Sequence, residues 1–228
     1  MVKNYSTGQR LAAEFLGSLL LTFTAISPVI LGCNVLGASI AIAVLMDAVA
    51  VGLVLFVLIE TLGPVSGCHH NPAVTIAMLL TKNINTKLGI LYILVQILVG
   101  FLGILAGHAM FAGQDFFQWV SIAEAARNGG ACWAEFVGTF TLVLVIFGAM
   151  HNRSSQSGMI IGSLAGVFLI TTSSTMFANP QVSIARMFTW SAAGIRPTDA
   201  VVFVVIEILA AAAAAGAAKY LFQPQNAS

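Results

Sequence analysis

Two short stretches of the chain place asparagine and proline in the same local pattern. The first reads HHNPAVTIAM (69–78) and the second reads FANPQVSIARMF (177–188), so both contain Asn-Pro followed in register by Val and Ile-Ala. A carboxamide offers two N–H donors and one acceptor oxygen. Asn71 and Asn179 are therefore suited to binding the oxygen of a polar molecule without any covalent step.

No residue set near these asparagines indicates catalysis. The sequence shows no nucleophile–base set and no cofactor-binding loop. His69 and His70 are adjacent, but no further ligand follows them at the spacing of a metal site. Cys33, Cys68 and Cys132 have neither disulfide nor zinc spacing. We predict that the protein is not an enzyme and that it carries no cofactor and no metal.

The composition is typical of a membrane protein. The 228 residues are 59% hydrophobic and only 7% charged, whereas soluble domains carry about 25% charged residues. A helix that crosses a bilayer needs about 20 apolar residues. The net charge of +1 gives no reason to expect nucleic acid as a partner. Six stretches are long enough to span: 11–32, 37–60, 88–111, 131–150, 158–177 and 199–222.

Two further apolar stretches, 72–80 and 181–189, are about half the length of a span. Each follows an Asn-Pro pair. Asparagine favours the N-cap of a helix and proline favours its first turn. The sequence therefore predicts two half-helices that begin at these pairs and do not cross the membrane.

The two halves of the chain repeat each other. LAAEFLGSLLLTF (11–23) returns as CWAEFVGTFTLVL (132–144), and each half then contains one Asn-Pro corner. Because three spans separate equivalent positions, the second half must be inverted relative to the first. We predict a single channel-like domain over 1–228, with halves of approximately 1–111 and 131–222, whose two broken helices meet at mid-membrane beside a path for a substrate.

Basic residues predict the orientation in the membrane. With the N-terminus inside, the cytoplasmic face would carry Lys3, Arg10, Lys82, Lys87, Arg153 and Lys219. The outer face would carry only Arg127, Arg186 and Arg196. Both termini are therefore expected on the cytoplasmic side of a multi-pass protein.

The first corner resembles a known family signature. SGCHHNPAVT (66–75) is similar to the aquaporin pattern Ser-Gly-x-His-x-Asn-Pro-Ala-Val-Thr, and the two AEF-x-G openings and the second corner also match. The resemblance covers nearly the whole chain. It implies an all-α membrane protein with six transmembrane helices and two re-entrant half-helices. It also implies a homotetramer, and a passive channel for water or small neutral solutes in a cell membrane.

The resemblance assigns roles to particular residues. The central constriction would contain the two corners, which are Asn71, Pro72, Ala73, Asn179, Pro180 and Gln181. Family members have two glutamates that bond the backbone of the re-entrant loops, and Glu14 and Glu135 occupy their positions. These two acids are expected to be scaffold residues.

The second corner departs from the family pattern at the narrow filter. Most members have arginine directly after the second Asn-Pro-Ala, and this chain has Val182 there. Counting from the corners places the other three filter positions at Val51, Val167 and Met176; an error of one residue would replace Val167 by Phe168. The predicted filter is therefore uncharged and has no side-chain hydrogen-bond donor.

An apolar filter without arginine is expected to be wider than that of a water-selective channel. Glycerol, urea and the neutral hydroxides of arsenic and antimony would then pass, together with water. The arrangement resembles a bacterial branch of the family associated with arsenical transport, which implies a bacterial inner membrane. A water-selective channel is the alternative, because an apolar constriction can either admit solutes or gate by dewetting.

Several side chains keep two interpretations. The amide of Gln181 either enters the central constriction or bonds neighbouring backbone beside it. Cys68, His69 and His70 either face the inner vestibule or lie buried. Arg186, one turn beyond Val182, is expected to cap carbonyl groups rather than line the pore.

The remaining acids leave a rival function open. Asp47, Glu60 and Glu207 lie within predicted spans, where an ionisable residue is by default a functional candidate. A proton-coupled transporter would need such an acid on the path of the substrate, and Asp47 and Glu60 are the candidates. Uptake that is insensitive to a protonophore would argue against that class.

Overall fold

The computed structural model describes residues 4–222, and within this range the chain is helical with no β-strand. Lys3, which contributed to the predicted orientation, lies outside the described residues. The helices are α1 (Thr7–Thr24), α2 (Ser27–Ile30), α3 (Ile40–Ser66), α4 (Pro72–Leu80), α5 (Thr86–Ala109), α6 (Gly129–His151), α7 (Ser157–Thr171), α8 (Pro180–Ala185) and α9 (Pro197–Phe222). A π-helical turn, Leu31–Val35, continues α2, and a 3₁₀ turn, Arg186–Phe188, continues α8.

Among residues 4–222, five helical segments are long and apolar enough to cross a membrane. The first is the continuous run Thr7–Val35, made of α1, α2 and the π-helical turn. The other four are α3, α5, α6 and α9. Polar side chains at the helix starts satisfy free backbone N–H groups; for example, the Ser6 hydroxyl accepts from Gln9 N before α1.

The fifth predicted span, 158–177, is wrong at its end. The helix α7 ends at Thr171 after 15 residues. The chain beyond it turns away from helical geometry, with left-handed φ values of 60° at Thr175 and 38° at Met176. The backbone N–H groups of Phe177 and Ala178 donate to the Glu135 carboxylate instead of to a helical carbonyl.

The predicted half-helices are both present. The first, α4, has the predicted end at Leu80, whereas α8 is only six residues long before it tightens into the 3₁₀ turn. Both short helices are wedged between α9 and α5. The two halves therefore enclose a pair of short helices whose N-termini lie inside the protein.

The long helices approach closely where glycine removes the side chain. The pair α3 and α7 has the most extensive contact, and α1 packs on α5 as α6 packs on α9. A Cβ atom added to Gly162 of α7 would lie 2.4 Å from the carbonyl oxygen of Gly52 in α3. This close crossing fixes how α3 and α7, which both contribute to the central cavity, face each other.

Candidate pore and its two asparagine corners

Each corner asparagine caps the half-helix that it precedes. The Oδ1 atom of Asn71 accepts from Ala73 N at 2.9 Å and from Val74 N at 3.5 Å. The Oδ1 atom of Asn179 accepts from Gln181 N at 3.0 Å. Both residues have extended backbone geometry followed by proline in the first helical turn. Capping turns the amide nitrogen of each side chain away from its own helix.

The amide nitrogens cross-link the two corners. Asn71 Nδ2 donates to the carbonyl oxygen of Ala178 at 2.7 Å, and Asn179 Nδ2 donates to that of His70 at 2.9 Å. An amide nitrogen carries two hydrogens. One N–H of each asparagine therefore holds the two half-helices together, and the other can bind a molecule between them.

A buried glutamate supports each corner from behind. Glu14 accepts from the backbone N–H groups of His69 and His70 at 3.0 and 2.8 Å. Glu135 accepts from Phe177 N and Ala178 N at 2.8 and 2.7 Å. Both carboxylates are fully buried. They satisfy backbone donors that non-helical chain would otherwise leave unpaired inside the membrane.

A cavity of about 700 Å³ runs past the two corners. Arg10, Asn83 and Ser154 line one end, Asn71 and Asn179 line the middle, and Arg186 lines the other end. Most of the wall is apolar, with the side chains of Leu21, Val51, Leu55, Ile59, Val74, Met78, Leu142, Ile146, Ile161, Leu169, Met176, Phe177 and Val182. The cavity therefore has an apolar wall and a small number of polar groups at defined depths, as expected of a selective site.

Comparison with known proteins identifies this arrangement. The model of the family "Major intrinsic protein" matches residues 1–215. The chain belongs to the major intrinsic protein family. Members of this family are channels, and the chain is a passive membrane channel for small neutral molecules.

Individual relatives agree with this assignment. The chain is 32% identical over 224 residues to the aquaglyceroporin AqpS of Rhizobium meliloti (strain 1021), covering 98% of this chain and 94% of that protein. It is 31% identical over 169 residues to human aquaporin-5, covering 68% of this chain and 62% of that protein. The crystal structure of the aquaglyceroporin from Plasmodium falciparum matches with a TM-score of 0.70 at 20% identity, over 92% of this chain and 95% of that one. This last likeness concerns the fold alone.

Three of the four predicted filter positions of this channel lie in the cavity wall. Val51, Met176 and Val182 line the cavity. Val167 does not, because it is 54% exposed on the outer surface of α7. Its neighbour Phe168, the alternative position, packs into an apolar cluster rather than lining the cavity.

Helical spacing predicts which residues of α7 line the cavity. Ile161, Ala165 and Leu169 line the cavity and recur every four residues, so they share one face of the helix. Val167 is two residues from Leu169, which places it nearly on the opposite face. This pattern was present in the sequence, and Leu169 could have been found from it.

Gln181 does not contribute its side chain to the central constriction. Its Nε2 atom donates to Thr22 Oγ1 at 2.6 Å and to Ser18 O at 3.1 Å, so the amide lies against α1. Of the two interpretations, the one in which the amide bonds neighbouring groups beside the constriction is the one that these contacts support. Pro72, Ala73 and Pro180 are also buried outside the cavity wall, in the first turns of the half-helices.

The three candidates for the inner vestibule divide into two groups. Cys68 and His69 line the cavity. His70 is fully buried, and its ring lies so close to α1 that a Cβ atom on Gly17 would come within 1.8 Å of it. Of the two interpretations of His70, the buried one is therefore supported, and its carbonyl oxygen accepts from Asn179 Nδ2 of the second corner.

The unassigned acids all have protein partners. Glu60 lines the cavity and its Oε1 atom accepts from Gly158 N at 3.0 Å, at the start of α7. Asp47 forms an ion pair with Arg186, with 3.2 Å between Oδ2 and Nη2. Glu207 accepts from Ser183 Oγ at 2.7 Å. Arg186 caps the carbonyl of Ala25, as expected, but contrary to expectation it also lines the cavity.

Proposed function

We propose that this channel conducts small uncharged solutes bulkier than water, such as glycerol, urea and the neutral hydroxides of arsenic and antimony, in addition to water. The observation that carries the proposal is Val182 in the cavity wall, directly beyond the second corner. Valine is smaller than arginine and has no charge. The passage beside it therefore accepts a wider molecule.

The residues at the depth of Val182 are consistent with an apolar filter. Val51, Leu169 and Met176 line the same cavity. None of these side chains donates a hydrogen bond. An apolar filter favours solutes that have apolar carbon groups. It also favours solutes for which the free-energy cost of partial dehydration is small. AqpS, which matches nearly the whole chain, is named an aquaglyceroporin, and this name agrees with a solute wider than water.

The two corners would orient the permeating molecule. The N-termini of α4 and α8 meet at the middle of the cavity, where helix dipoles create a positive potential. The second N–H of Asn71 and that of Asn179 would each donate a hydrogen bond to an oxygen of the solute and so hold that oxygen at the centre of the cavity. A cation would meet two positive helix ends and few acceptor groups, so we infer that cations and protons are excluded.

A proton-coupled transporter is disfavoured by the partners of the two candidate acids. Asp47 is paired with Arg186 and Glu60 accepts the backbone N–H of Gly158. A coupling acid must change its protonation state during each cycle. Protonation of either acid would weaken a contact between helical segments, since a neutral carboxyl group is a poorer acceptor than a carboxylate.

Assembly and orientation are part of the same proposal. We infer a homotetramer with one pore per subunit and both termini on the cytoplasmic side of a bacterial inner membrane. The excess of basic residues on the predicted inner face supports this orientation. The large apolar residues on the outer surface of α3 and α7, such as Leu53 at 59% and Val167 at 54% exposure, suit contact with lipid or another subunit.

Stopped-flow light scattering on proteoliposomes tests the proposed function. Osmotic water flow, glycerol influx and urea influx would be compared with protein-free vesicles, and arsenite uptake would be followed with and without a protonophore. We expect all four to exceed the protein-free rate and arsenite uptake to be insensitive to the protonophore. Water flow without any solute influx would overturn the proposal in favour of a water-selective channel, and loss of uptake with the protonophore would favour the coupled transporter.

A further inference from the structure

A guanidinium group lies in the wall of the cavity where the apolar filter ends. Arg186 follows Val182 by four residues, so it lies on the same face of the short helix, about 6 Å further from the corners along its axis. It lines the cavity but is only 4% exposed. Arg186 therefore lies in the cavity wall one helical turn beyond Val182.

Three groups from separate parts of the chain hold this side chain. Nη2 of Arg186 lies 3.2 Å from Oδ2 of Asp47 in α3, which is 2% exposed, and it also donates to the carbonyl of Ala25 at the end of α1. The Phe177 ring lies 4.3 Å from the guanidinium carbon, a cation–π distance. The guanidinium therefore has one orientation.

Two polar atoms of this pair have no protein partner within residues 4–222. They are Nε of Arg186 and Oδ1 of Asp47, and both are buried. An unpaired buried donor or acceptor is costly. The protein therefore leaves this pair incompletely hydrogen-bonded, and of its two members Arg186 is the one that lines the cavity.

We propose that Arg186, oriented by Asp47, is the charge-selective filter of this pore and takes its place one helical turn outside the apolar ring at Val182. The guanidinium repels cations and protons and donates a hydrogen bond to a neutral solute. Arg186 lines the cavity and Asp47 does not, so the positive end of the pair faces the pore, while the pair as a whole is neutral and does not concentrate anions there. The inference rests on the proposed channel function and assigns the selectivity of its outer end.

A second arginine–aspartate pair shows what a purely structural role looks like. Arg196 and Asp199 lie 2.9 Å apart at the start of α9, and the arginine side chain is 48% exposed. This pair does not line the cavity. A buried ion pair gains little net stability over apolar residues of similar size, so the position of Arg186 in the cavity wall, with Asp47 behind it, indicates a role in permeation.

The test measures ion leak and solute influx in the same proteoliposomes. Vesicles would contain a pH-sensitive dye, and a potassium diffusion potential would drive protons inward. Four proteins would be compared: the wild type, Arg186→Gln, the double variant Asp47→Leu/Arg186→Met, and Arg196→Gln as the matched control. The double variant leaves no unpaired charge, so it can be measured even if the single variant does not fold.

We expect the proton leak to rise about tenfold or more in both Arg186 variants, since each removes the positively charged group that faces the cavity. Glycerol influx should stay within about twofold of the wild type, because the apolar ring that sets the width is unchanged. Arg196→Gln should match the wild type in both measurements.

Two failures are distinguishable. A folded double variant with the same leak as the wild type and Arg196→Gln would overturn the role of Arg186 as a filter and leave a structural ion pair. Absence of glycerol influx in the wild type would overturn the proposed channel for wider solutes, whatever the leak of the variants.

Discussion

The two half-helices are supported by equivalent networks that differ in one functional group. Behind α4, Thr75 lies four residues after Asn71, and Gln96 of α5 donates to both Thr75 Oγ1 and Glu14 Oε2. Behind α8, Ser183 lies four residues after Asn179 and donates to Glu207 of α9, which adjoins Glu135. An amide occupies the position in the first half that a carboxyl group occupies in the second.

This difference makes the first support complete and the second incomplete. Gln96 Nε2 donates to Glu14 at 2.8 Å and to Thr75 at 3.1 Å. Glu207 has no donor nitrogen, its Oε2 atom has no partner among residues 4–222, and it lies beside another buried carboxyl group. Two adjacent buried carboxyl groups lack the donor–acceptor complementarity of an amide beside a carboxyl group. The second half, which departs from the family pattern at Val182, is therefore supported by the less completely hydrogen-bonded network.

The largest expected effect comes from making the first support resemble the second. Gln96→Glu would remove both donated hydrogen bonds and place a second carboxyl group beside Glu14. We expect a loss of about 3 kcal/mol or more in the free energy of unfolding, because a buried charge would lose its partner. Thermal unfolding in detergent measures this loss. A variant as stable as the wild type would show that a carboxyl group serves there as well as the amide, and would contradict the claim that the second support is the less stable one.

A smaller effect is expected where glycine allows each corner to approach its helix. Gly17 and Gly138 each lie three residues after a scaffold glutamate. A Cβ atom at Gly17 would lie 1.8 Å from the rigid His70 ring, whereas one at Gly138 would lie 3.0 Å from the flexible Met176 side chain. Gly17→Ala should cost about 3 kcal/mol and lower glycerol influx, and Gly138→Ala should cost less than about 1 kcal/mol.

Thermal unfolding and stopped-flow influx of these two alanine variants, measured side by side, check the contrast. Equal destabilisation of both would mean that the two corners are equally rigid. Greater damage at Gly138 would contradict the packing described for His70.

The smallest expected effect comes from the reverse exchange in the second half. Glu207→Gln conserves volume and supplies an amide that can donate to Glu135, as Gln96 does to Glu14. We expect a gain of about 1 kcal/mol in the free energy of unfolding with solute influx unchanged. Loss of folding or of influx would show that the carboxyl group at position 207 has a role that an amide cannot fill.

The sequence predicted the features that depend on local patterns. The two corners, the ends of α4 and the positions of Glu14 and Glu135 follow from caps, hydrophobic length and the internal repeat. These features repeat twice in one chain, so each half supported the interpretation of the other. The positions of Val51, Met176 and Val182 in the cavity wall were also predicted from the sequence. Counting from Asn71 and Asn179 reached them because the chain keeps the family's spacing there.

The errors arose where distant residues decide the local structure. The end of α7 depends on Glu135, 42 residues before Phe177, which takes two backbone donors away from a helix. Val167 was misplaced because the count from Asn179 crosses this irregular segment. The contact between Arg186 and Asp47 joins residues 139 positions apart, and no local pattern could indicate it. The sequence left two interpretations open for Gln181 and for His70 for a similar reason, since contacts with α1 determine where both side chains lie.

The most direct test of the central claim is glycerol influx measured beside water flow in wild-type protein and in Val182→Arg, with Val182→Leu as the control for added volume without charge. The account predicts that arginine abolishes glycerol influx and retains water flow, whereas leucine reduces glycerol influx only in part. Equal glycerol influx in all three proteins would contradict the claim that Val182 determines which solutes pass.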